Sequence, residues 1–212
     1  MTSSRATQLR RIRFGLWLLV AASALALGGT YFVRTIDFRD PSGALTVGEA
    51  AVHSEFSLLD HNGTRVTEAD FKGRWQLVFF GFTHCPDICP TTLAYMAEVL
   101  DRLGTESQRI APFFITVDPT RDTPAVMKEY VQAFHPDLIG LTGTEAETAA
   151  AAYAFRVYYE KMEEASAADG NLMAHSGHMY LMTPDGRYEA VFREGEQSAQ
   201  DLASQIITRM NR

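Results

Sequence analysis

The feature that most constrains the fold is a pair of short, predominantly apolar runs without alternation, Gln-Leu-Val-Phe-Phe over 76–80 and Phe-Phe-Ile-Thr-Val over 113–117. A strand with one wet face alternates apolar and polar residues, whereas a run without alternation is covered on both faces. Strands of that kind belong inside a sheet flanked by helices. Helix signals follow each run. Residues 91–103 place Leu93, Met96, Ala97 and Leu100 on one face. Thr123 and Pro124 supply an N-cap and a first-turn proline for a helix reaching about Phe134. Thr144-Glu145-Ala146-Glu147 is a capping box that opens another helix. Residues 55–60 read as a strand before an Asn62-Gly63 turn, and residues 67–71 as a helical turn. Residues 155–161 and 178–182 read as strands. Pro184-Asp185-Gly186 turns the chain into a strand over 188–192, and residues 198–210 form a last amphipathic helix. Pro112 is expected to mark the entry to the 113–117 strand. Residues 160–171, polar and alanine-rich, are expected to form a mobile loop. The alternation predicts an α/β domain over residues 49–212, with a mixed central sheet flanked by helices.

Ahead of that domain, residues 14–33 form a 20-residue stretch without charge, long enough for one helix to span a bilayer. Arg5, Arg10, Arg11 and Arg13 precede it, which predicts a cytoplasmic N-terminus over 1–13 and a transmembrane anchor over 14–33. Trp17, Tyr31 and Phe32 lie near its ends, where aromatic rings suit the interface. Residues 34–48 read as a linker. Cleavage at Ala24-Leu25-Ala26 is the alternative, although the run is long for a cleaved signal. An arginine-rich, acid-free start also resembles a mitochondrial presequence. The preferred reading is a single-pass inner-membrane protein whose domain faces the periplasm. The charge agrees with a partner other than nucleic acid. Residues 1–34 hold five arginines and no acid, which leaves 14 basic and 26 acidic side chains, a net of −12, for the remainder. Phosphate binding needs a basic footprint.

Chemistry concentrates in Gly81-Phe82-Thr83-His84-Cys85-Pro86-Asp87-Ile88-Cys89-Pro90, between a strand and a helix. Cys85 and Cys89 are the only two cysteines, in a compartment expected to be oxidising. Residues at i and i+4 share a helix face, so both sulfurs can point one way. A helix N-terminus lowers a thiol's pKa and favours thiolate. Thiolates attack disulfides or hold soft metals: cuprous copper, zinc or iron–sulfur. Two cysteines are too few for an iron–sulfur cluster held by one chain, and structural zinc takes four closed ligands. A structural disulfide is the bland alternative, but one closing so short a loop stabilises little.

Of six histidines, His175 lies just before a predicted strand, and taken alone such a residue is more often solvated than a ligand. An imidazole beside two thiolates suits copper in either oxidation state. His84 adjoins Cys85 as an outer candidate, whereas His53, His61 and His135 read as surface residues. Met173, Met179 and Met182 read as packing.

The segment Phe79-Phe80-Gly81-Phe82-Thr83-His84-Cys85-Pro86-Asp87-Ile88-Cys89-Pro90-Thr91-Thr92-Leu93 closely resembles the core of the Sco/SenC family. Ile115-Thr116-Val117-Asp118-Pro119-Thr120-Arg121-Asp122-Thr123-Pro124 resembles it too, as do Leu138-Ile139-Gly140-Leu141-Thr142-Gly143-Thr144 and His175-Ser176-Gly177-His178-Met179-Tyr180-Leu181. The resemblance implies a thioredoxin-like fold carrying copper on Cys85, Cys89 and His175, with Asp118 and Asp122 near the metal loop. The bland reading of those two acids is a solvated turn and a helix start. Many relatives carry an acid where this chain has Ala174, and His178 stands where an apolar residue is common, which introduces a competing imidazole.

What the resemblance implies about function is a copper metallochaperone that supplies the dinuclear copper site of cytochrome c oxidase subunit II. It would depend on an upstream copper donor and a thiol reductant. The rival is a thiol–disulfide oxidoreductase using Cys85 and Cys89 to reduce that site's cysteines. A copper or redox sensor is a further alternative. His175 discriminates, since a reductase has no obvious use for it, and Cys85-x-x-x-Cys89 departs from the Cys-x-x-Cys of thioredoxins.

Overall fold

Both apolar runs become central strands in the computed structural model. Strands β3 (Trp75–Gly81) and β4 (Ile110–Thr116) are buried at every position. They run parallel, with Val78 opposite Phe113 and Phe80 opposite Ile115. Around them lie β1 (Ser57–Asp60), β2 (Arg65–Thr67), β5 (Ile139–Thr142), β8 (His178–Met182) and β9 (Tyr188–Arg193), in the order β2-β1-β5-β4-β3-β8-β9. Only the β3–β4 and β4–β5 pairs are parallel; the pairs of β1 with β2 and β5, and of β8 with β3 and β9, are antiparallel. This is the expected mixed sheet. The structure describes residues 52–163, 171–175 and 177–212, within the second of two units, Met1–Ala44 and Leu45–Arg212. The segments 1–13, 14–33 and 34–48 lie outside the described residues. Among the described residues no helix is long and apolar enough to cross a membrane.

Helices α1 (Ile88–Leu103), α2 (Pro124–Gln132), α3 (Glu145–Ala154) and α4 (Ala199–Met210) flank the sheet. Alternate residues of β3 and β4 feed two aromatic clusters on opposite faces. On one face Phe79 stacks on Phe114 at 5.9 Å, and Phe114 meets Tyr130 of α2 at 5.6 Å. On the other, Phe113 meets Phe71 at 4.7 Å and Phe56 at 5.7 Å, while Phe80 meets Phe155 at 5.2 Å. Burying each such ring stabilises the fold by roughly 1.5–3 kcal/mol. Leaving either face uncovered would therefore undo it.

Four boundaries differ from expectation. Helix α1 opens at Ile88, not Thr91, because Pro90 falls in its first turn, where the missing N–H would be unpartnered anyway. β4 begins at Ile110, so Pro112 lies inside it. β5 pairs with β4 only from Phe113 onward, and the proline therefore interrupts no pairing on that side. Phe155 ends α3 instead of starting a strand: Arg156 takes a left-handed turn (φ 55), and the next strand waits until Tyr159. Finally, the expected loop over 160–171 contains strand. β6 (Tyr159–Glu163) and β7 (Asn171–His175) pair as a separate two-stranded sheet, and residues 164–170 lie outside the described residues.

Candidate metal centre

The cysteines sit where β3 hands over to α1. Phe82 follows the strand and is fully buried, Cys85 lies in the turn beyond it, and Cys89 occupies the first turn of α1. The two therefore do not share a helix face. They are joined another way, because the Cys89 N–H donates to the Cys85 Sγ at 3.4 Å. Both are thiols, not a disulfide, with relative exposures of 9% and 0%. Gly81 makes this seat. A β-carbon there would stand 2.7 Å from the Cys89 Sγ and 2.8 Å from the Phe114 ring, too close for any side chain. Proximity to the helix N-terminus does not decide the Cys89 protonation. Burial pushes the thiol up, and hydrogen bonding with Cys85 adds to it. Desolvating a thiolate outweighs the helix-end field.

Below the loop, Asp122 is fully buried and accepts three hydrogen bonds. They come from the Thr83 N–H at 3.1 Å, the Thr83 hydroxyl at 2.5 Å and the Thr116 hydroxyl at 2.5 Å. Burial raises its pKa against the pull of those donors. Asp118 is 7% exposed and accepts from the Thr120 hydroxyl at 2.8 Å and from Arg121. The solvated-turn reading of these acids therefore fails. Asp122 ties the residue two before Cys85 to the end of β4 and the start of α2. Thr83, Thr116 and Gly81 were not singled out by the sequence reading. The threonine before a Cys-x-x-x-Cys loop and the glycine at a buried strand's end were the available signals.

His175 closes β7, its backbone opposite Tyr159. Two residues on, Gly177 is buried against the start of α1: a β-carbon there would stand 2.6 Å from Ile88 Cδ1 and 3.9 Å from Thr92 Oγ1. Gly177 thus rests on the helix turn that carries Cys89. His178 is engaged elsewhere. Its Nε2 lies 2.7 Å from an Arg193 guanidinium nitrogen, its cross-strand neighbour, so Nε2 must accept. Burial, then Arg193, lowers its pKa. His84 is exposed, with Nδ1 3.0 Å from the Thr83 hydroxyl and 3.8 Å from Asp122. His53 is exposed, but His61 and His135 are half-buried and accept backbone N–H groups from Gly140 and Asp137. They are structural acceptors, distant in sequence from the cysteine loop.

Two thiols joined by a hydrogen bond, one of them in a sterically cleared seat, suit a soft metal. A family model described as SCO1/SenC matches residues 45–211. A Bos taurus protein named "Protein SCO2 homolog, mitochondrial" is 39% identical over 199 residues, covering 91% of this chain and 74% of its own length. The crystal structure of Arabidopsis thaliana ScoI with copper bound is 40% identical, with a TM-score of 0.70, covering 76% of this chain and 99% of that one. Bradyrhizobium japonicum ScoI with copper bound is also 40% identical, with a TM-score of 0.69, covering 74% and 99%. The mixed sheet and flanking helices match those thioredoxin-like structures.

Proposed function

The chain belongs to the SCO1/SenC family, which works in copper handling and cytochrome c oxidase assembly, and on that premise we propose that it is a copper metallochaperone. It binds one copper ion through Cys85, Cys89 and His175. It delivers the ion to the dinuclear copper site of cytochrome c oxidase subunit II, after loading from an upstream donor and reduction by a thiol reductant. Residues 14–33 anchor it as a single transmembrane helix, with residues 49–212 in the periplasm.

The observation that carries this reading is the convergence at the first turn of α1. Cys89 lies there in the Gly81 seat with its N–H on the Cys85 Sγ, and Gly177 packs on the same turn two residues after His175. Arg193 occupies the His178 Nε2, which weighs against His178 as the ligand. The copper supplies a soft cation to be carried; the protein's own task is to hold and yield it. Both thiols must lose protons on loading, so loading weakens as pH falls. Buried thiols favour this reading over disulfide exchange, which needs an accessible thiolate.

The test is copper stoichiometry on the reduced protein, beside His175→Ala and His178→Ala. One tightly held copper per chain, weakened by the first substitution and not the second, is expected. No stable copper, or binding indifferent to His175, would move the assignment to the thiol–disulfide oxidoreductase.

A further inference from the structure

We infer that His84 is the surface relay of the two-thiol site, its Nε2 serving as a transient ligand through which a cuprous ion enters and leaves. This rests on the metallochaperone reading and adds a residue to it. Cys85 and Cys89 are 9% and 0% exposed, so an ion still held by a donor molecule cannot meet both sulfurs at once. An accessible ligand beside them would give the ion an intermediate stop.

His84 is built for that use by its hydrogen bonds. The Asp122 carboxylate receives the hydroxyl protons of both Thr83 and Thr116. A threonine hydroxyl has one proton to give. Having given it to Asp122, the Thr83 Oγ1 can only accept at His84, so the 3.0 Å contact places the imidazole proton on Nδ1. Nε2 then carries the lone pair, on a side chain that is 51% exposed. A carboxylate-anchored chain that fixes the tautomer and aims the other nitrogen is how proteins prepare histidine for a metal. His84 and Cys85 are consecutive, their α-carbons about 3.8 Å apart. The transfer involves no redox change. A donor–copper bond breaks as the Nε2–copper bond forms. The Nε2–copper bond then yields to Cys85 Sγ, whose proton passes to water.

The experiment mixes the full-length, reduced protein with cuprous bicinchoninate and follows loss of the coloured chelate by stopped flow. The final partition of copper is read from the same samples. His84→Ala is expected to slow loading by roughly five- to ten-fold while leaving the partition within about two-fold, a rate effect without an affinity effect. Thr83→Val, which releases the tautomer, is expected to slow loading by less. His84→Ala loading at the wild-type rate overturns the relay and leaves the metallochaperone reading intact. A partition shifted by about ten-fold or more also overturns it, because His84 would then be a resident ligand. Failure of the wild-type chain to take copper from the chelate would remove both readings.

Discussion

The thiols and the distal histidine come from differently built regions. Cys85 and Cys89 sit at the junction of a fully buried central strand and a sixteen-residue helix, over a carboxylate with three donors. His175 ends a two-stranded hairpin outside the seven-stranded sheet, placed by its register with Tyr159. A lone hairpin is marginal in water and depends on what it packs against, whereas a central junction is held by the whole core. Under the proposed function the contrast fits a carrier, with two candidate ligands kept in place by the fold and a third on an arm placed by its local pairing.

The sharpest way to break that contrast is to remove one ligand from each side. Cys89→Ser should abolish stable copper binding, a loss of more than roughly a hundred-fold. His175→Ala should cost less, within the ten- to hundred-fold range seen when ligand-supporting groups are lost. Equilibrium competition with a cuprous chelator reads both, and equal losses would erase the distinction between seat and arm.

The glycines test it by stability. Gly81→Ala drives a β-carbon into Cys89 and the Phe114 ring, inside the core, and should destabilise the fold by about 1–3 kcal/mol. Gly177→Ala meets only the end of Ile88, which is 40% exposed and can swing away, so its cost should stay under about 1 kcal/mol. Urea melts of the two variants decide. Asp122→Ala, which strands three donors, should cost about 1–3 kcal/mol. Arg193→Ala, losing an exposed contact to His178, should cost less than about 1 kcal/mol.

The smallest expected effect lies away from the site. The Thr144 N–H, with help from Arg65, holds the Glu147 carboxyl below its ordinary range. A lowered folded-state pKa stabilises above the unfolded value, and that gain is lost as pH falls through the folded one. Glu147→Gln should therefore flatten the acid limb of the stability profile without altering copper capacity. Acid titration followed by circular dichroism would show it.

Legibility followed the same division. The apolar runs, the Thr123 and Thr144 caps and the strand–helix position of the cysteines were readable because each is a local signal with a local cause. The strand expected over 155–161 is in part the first hairpin strand, Tyr159–Glu163, whereas its partner Asn171–His175 was missed because the polar, alanine-rich stretch over 160–171 reads as a loop. The Cys89 thiol is held protonated by its burial, which the sequence does not display, whereas its place at a helix N-terminus is visible there. The Asp122 brace joins residues 39 apart, a distance at which spacing says nothing.

X-ray absorption at the copper edge of the loaded, reduced protein reads the proposed site of two sulfurs and one imidazole nitrogen without an intermediary. Two sulfur scatterers and one nitrogen are expected, with the nitrogen lost in His175→Ala and kept in His178→Ala. Copper without the sulfur pair, or a nitrogen that survives loss of His175 and disappears with His178, would contradict it.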